Sequence, residues 1–106
     1  MNMKPGRELD ALIAEKVFGL EVEWKEGFGS KEVFPVSRLT AIPEYSTDIA
    51  AAWLVVEKLK GREPSIAYEG EKYGWEVSLT INHEIFCIYG KSAPHAICLA
   101  ALKAVS

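Results

Sequence analysis

The chain has 106 residues, 49% of them hydrophobic and 25% charged, the size and balance of one globular domain spanning residues 1–106. Twelve basic residues against fifteen acidic ones give a net charge of −3, which disfavours a non-specific nucleic-acid binder, because such proteins neutralise phosphates with a basic surface. Cys87 and Cys98 lie in apolar runs and read as small core hydrophobes. The opening ten residues hold no apolar signal core, and no apolar run nears the length of a membrane span. The expectation is a cytoplasmic protein of the bacterial host with no membrane partner.

Leu9, Leu12, Ile13 and Val17 recur at helical spacing between Gly6 and Phe18, with Glu8, Asp10, Glu15 and Lys16 assigned to the solvated side. Leu20 to Trp24 alternates apolar and polar, a strand pattern. Residues 26–31 read as a flexible turn. Val33 to Val36 returns as an edge strand, since Pro35 excludes a central position. After a loop over 37–44, Ser46, Thr47 and Asp48 supply N-cap side chains for a second helix. Its apolar stripe is Ile49, Ala52, Trp53, Val56 and Leu59, ended by Gly61.

Pro64 to Tyr68 is a short strand. Trp75 to Ile81 is the best strand in the chain, with Trp, Val, Leu and Ile on one face. Asn82 and His83 make a tight turn into Glu84–Tyr89, which is apolar on both faces and so reads as central or covered. A last helix spans Ala93 to Val105, capped by Ser92 or Ala93, with Pro94 in its first turn. It is apolar nearly all round, which predicts burial on more than one side, by its own sheet and by a neighbour chain. The order α-β-(β)-α-β-β-β-α indicates a layered α+β domain, a helix–sheet–helix sandwich with a mainly antiparallel sheet.

Three stretches carry a family resemblance. They are Pro5 to Val17, Pro43 to Leu59 (PEYSTDIAAAW followed by VVEKL), and Ser92 to Ala104 (SAPHAICLAALKA). Together they resemble the small phage and prophage proteins grouped as the phage ABA sandwich domain family. The resemblance implies the sandwich fold and a viral or prophage origin, and implies no activity.

The candidate ligand site is the pair of helix starts. Tyr45, Ser46 and Thr47 precede one helix, and Lys91, Ser92 and His95 open the other. Unpaired N–H groups and the positive dipole end attract anions, and Lys91, His95 and Arg38 add charge. A phosphate-bearing ligand suits such a site, with Tyr45 or Trp75 to stack a base. Plain capping accounts for the same residues, and Asp48 both repels an anion and satisfies the N–H groups itself.

From Ser46 onward, α-β-β-β-α also matches the double-stranded-RNA-binding topology. Pro94 and His95, however, stand where that domain needs lysines. His83, Cys87, His95 and Cys98 do not follow a zinc spacing, and no catalytic motif or cofactor fingerprint is present, so neither an enzyme nor a cofactor is expected. Trp24 and Phe28, flanking the Gly-rich turn, are candidate interface anchors for a homo-oligomer or a protein partner.

Overall fold

The computed structural model describes residues 3–27 and 30–105. In chain order its elements are α1 (Arg7–Lys16), β1 (Val22–Gly27), β2 (Ser30–Pro35), α2 (Ile49–Lys58), β3 (Ser65–Tyr68), β4 (Trp75–Ile81), β5 (Glu84–Gly90) and α3 (Ala93–Val105). A short 3-10 turn, Lys60–Arg62, follows α2. This is the α+β class and the helix–sheet–helix order read from the sequence. All strand pairing is antiparallel, divided between a two-stranded sheet, β1-β2, and a three-stranded sheet, β3-β4-β5.

The first hairpin runs further than its sequence suggests. Glycines and charges mark residues 26–31 as a turn, yet the ladder continues to the pair Gly27 and Ser30. Its register sets Lys25 opposite Glu32 and Glu26 opposite Lys31, and cross-strand opposite charges stabilise such a ladder. In the second sheet, Asn82 and His83 take φ values of 53° and 67°. Two consecutive positive φ values form the tight turn whose twist matches antiparallel strands.

β4 is the central strand, and Val77 and Leu79 point from it into the core. β5 is an edge, not the covered strand its composition suggests. Phe86 and Ile88 lean inward, whereas Ile85 is 74% exposed and Cys87 lies on the open face of the sheet. Cys98, by contrast, is buried in α3, and desolvation pushes its thiol far above the ordinary range.

α3 is the centre of the molecule. It packs on β4 and β5 on one side and on α2 and α1 on others, and its residues from Pro94 to Ala101 are buried. Along Pro94–Ala101 this apolar helix is covered by elements of its own chain, while Val105 at its end is about half exposed. α1 adds Leu9 and Ile13, each fully buried and each worth about 2–3 kcal/mol of transfer free energy, and β1 and β2 pack on α1.

α2 lies rotated from its expected setting. It buries Ala51, Ala52 and Val55, meeting α3 on small side chains, and leaves Ile49, Trp53 and Leu54 facing out. Trp53, expected in the core, is 53% exposed. Trp75 is partly buried against the core, with the Tyr68 ring 5.3 Å away.

Candidate functional site

The two helix starts have different chemistry. At α2, Asp48 is the cap, its side chain accepting from the Ala50 N–H at 3.0 Å. Ser46 is fully buried and turned toward α1. Its N–H and its hydroxyl both donate to Asp10 Oδ1, at 2.7 and 2.6 Å, and its Oγ accepts from the Gly6 N–H at 2.8 Å. Tyr45 is buried with its ring stacked on Phe18 at 5.1 Å. Desolvation and then the Asp10 charge hold its phenol above the ordinary range. The polar atoms of Ser46 are therefore engaged within the fold. Thr47 and Arg38 are exposed and lie apart from the groove described below.

Asp10 is a residue the pattern placed in solvent and the structure buries completely. Its second oxygen takes the Arg7 guanidinium at 2.9 Å. Arg7 also donates to the carbonyls of Ile42 and Pro43, at 2.8 and 3.2 Å, and to Glu32 at 2.6 Å. One guanidinium thereby ties α1 to β2 and to the chain ahead of α2. The signal for it was the Arg7/Asp10 spacing of three, with the acid set inside an apolar run.

At α3, Ser92 caps through its Oγ, which accepts from the His95 N–H at 3.2 Å. His95 is buried and fixed at both ring nitrogens. Nδ1 accepts from the Lys91 N–H at 3.2 Å, which leaves Nε2 to donate to the Met3 carbonyl at 2.6 Å. The chain start is thus pinned to α3 by Met3 and to the α2 start by Gly6.

A groove of about 600 Å³ lies at this end of α3. One wall is the opening segment, Met3 to Pro5. Another is the β3–β4 turn, with Glu71, Lys72, Tyr73 and Gly74. The floor is Gly90 at the end of β5, with His95 and Leu99 of α3. Gly74 and Gly90 allow the close approach that shapes it. A Cβ on Gly74 would lie 2.5 Å from the Gly90 carbonyl oxygen, and one on Gly90 would lie 2.5 Å from the Ala96 nitrogen. Gly74 also has φ +74°, a left-handed conformation that side chains rarely take.

Lys4, Lys72 and Lys91 line the groove against a single glutamate, Glu71, in a chain whose net charge is negative. Tyr73 and Tyr89 stand on it half exposed, ring centroids 6.4 Å apart. The Tyr89 hydroxyl donates to Glu76 at 2.8 Å, and that bond is the main reason its phenol is held above its ordinary value. Of the residues expected to bind a ligand, Lys91 and His95 line this groove, and Arg38, Tyr45, Ser46, Thr47 and Ser92 do not. Tyr73, Tyr89, Lys72 and Lys4 were not singled out in the sequence. They come together only through the β3–β4 turn and the path of the chain start.

Trp24 is partly exposed on β1, and Phe28 lies outside the described residues. His83 is on the β4–β5 turn, Cys87 on the outer face of β5, and His95 and Cys98 inside α3. No helix among the described residues is long and apolar enough to cross a membrane.

The fold has a counterpart among phage proteins. Residues 11–102 match the phage ABA sandwich domain, and the chain belongs to that family. It is also similar to a phage protein from Bacillus cereus ATCC 14579 of known crystal structure. The two are 31% identical with a TM-score of 0.74, over 97% of this chain and 88% of that one. No curated protein matches the chain.

Proposed function

We propose that this protein is a non-enzymatic phage accessory protein that binds a small anionic, nucleotide-like ligand in the groove at the start of α3. The observation that carries the reading is the meeting of Lys4, Lys72 and Lys91 with the rings of Tyr73 and Tyr89 around about 600 Å³. That volume falls among those of small-molecule pockets. Phosphate oxygens suit the ammonium groups, and a base suits an aromatic face. In this reading the protein acts in the cytoplasm of the bacterial host and withholds a nucleotide signal of host defence. Membership of a phage family supports an accessory role, and both ring nitrogens of His95, the histidine at the groove, are already held by Lys91 and Met3.

Thermal melting against mono-, di- and cyclic nucleotides tests it. A ligand at a hundred times its Kd adds about 2.7 kcal/mol to stability, a clear upward shift in Tm. The ligand recovered after incubation should be chemically intact. No shift with any nucleotide at millimolar concentration contradicts the reading. A shift with duplex RNA alone at low salt would favour nucleic-acid binding instead.

A further inference from the structure

We propose that the outer face of α2 is where a second copy of this chain docks, the two α2 helices lying antiparallel across a two-fold axis. Ile49 and Trp53 are four residues apart, as are Ala50 and Leu54, so the four side chains make one continuous surface. Ile49, Trp53 and Leu54 are each about half exposed, while the small residues Ala51, Ala52 and Val55 face inward. A tryptophan flanked by aliphatic side chains and left open to water is the composition of an interface centre.

Charge order along the helix selects the occupant. Glu44 and Asp48 are exposed at its start, and Lys58 and Lys60 are exposed at its end. Glu57, four residues after Trp53 and so on the same face, pairs with Lys60 at 2.6 Å, and the Lys58 ammonium lies over the Phe18 ring at 5.5 Å, so the end is basic in sum. In a two-fold contact the same patch serves both partners, so a self-complementary face is required. Parallel docking would set acid on acid. Antiparallel docking sets the acidic start of each copy, Glu44 and Asp48, toward the net basic end of the other, at both ends at once, and opposes the two helix dipoles. Trp53 sits near the middle of Ile49–Lys58 and meets its own equivalent at the axis. None of these residues lines the groove at α3, so docking leaves the groove open.

Sedimentation equilibrium of the whole chain, from low to high micromolar concentration, tests the contact. The wild type should form a concentration-dependent dimer. Trp53→Glu and Leu54→Lys should each be monomeric at the same concentrations, with unchanged circular dichroism because both sites are half exposed. Glu44→Lys and Lys60→Glu should each weaken association by about tenfold. Mixed in equal amounts they should regain wild-type affinity. The new lysine then faces the new glutamate at one end, and the native charges meet at the other. A wild type that is monomeric throughout, a dimer indifferent to both Trp53→Glu and Leu54→Lys, or a mixture no tighter than either charge variant overturns the proposal.

Discussion

Ser46 gives both its backbone N–H and its hydroxyl to one oxygen of Asp10, at 2.7 and 2.6 Å, deep between α1 and the start of α2. Arg7 holds the other oxygen at 2.9 Å. One fully buried carboxylate joins α1 to the start of α2, so the cost of removing either partner is the cost of stranding that charge. Ser46→Ala should destabilise by about 1–3 kcal/mol, because one charged acceptor loses a donor. Arg7→Met should cost about 3–5 kcal/mol, because Asp10 keeps its burial and loses its cation. Urea unfolding of both variants measures this, and equal, negligible losses would contradict the network's role.

Acid should weaken the fold through Glu32. Its carboxyl is held below the ordinary value of 4.5, first by the hydrogen bond it accepts from the Val33 N–H and further by Arg7, with burial opposing. The unfolded chain therefore binds this proton more readily than the folded one. The stability gained is present in full above the ordinary value and is lost as pH falls through the folded value. Glu32→Gln should flatten the acid limb of stability against pH and leave the wild-type shape elsewhere. An acid limb of unchanged steepness in the variant would count against the assignment.

Much of the fold was legible because local rules agreed with it. Trp75–Ile81 and Ala93–Val105 are observed with the limits their patterns gave, and Asn82-His83 turns as its composition suggests. The misreadings share a physical cause, since each residue's setting is decided by a distant partner. Asp10 looks solvated until Ser46, 36 positions on, is seen to cover it. Trp53 fits an apolar stripe, yet α2 meets α3 on alanines and the indole is turned out. Cys87 sits in an apolar run that proves to be an edge strand. For the groove, Lys91 and His95 were visible as residues of a helix start. Tyr73 and Tyr89, 16 positions apart by their numbering (89 − 73), become neighbours only through the strand pairing.

The groove floor should not tolerate a methyl group. Gly90→Ala places a Cβ within 2.5 Å of the Ala96 backbone nitrogen and 2.7 Å of its Cα, where no flexible side chain can move aside. A cost of about 1–3 kcal/mol is expected, as for other overpacked sites. Gly61→Ala, which meets nothing within 4 Å, is the control and should stay within about 1 kcal/mol of wild type. Thermal melting distinguishes them, and equal midpoints would contradict the close packing of β5 on α3.

Binding at the α3 groove is tested most directly by calorimetric titration of the nucleotide giving the largest melting shift, into wild type and into Lys72→Ala, Lys91→Ala and Tyr73→Ala. The three side chains are exposed, so each variant should fold as the wild type does. Each should bind about tenfold more weakly, and the two lysine variants should show a shallower dependence on salt, because exposed charge contacts are screened. Wild-type affinity retained in all three variants would contradict the groove as the binding site.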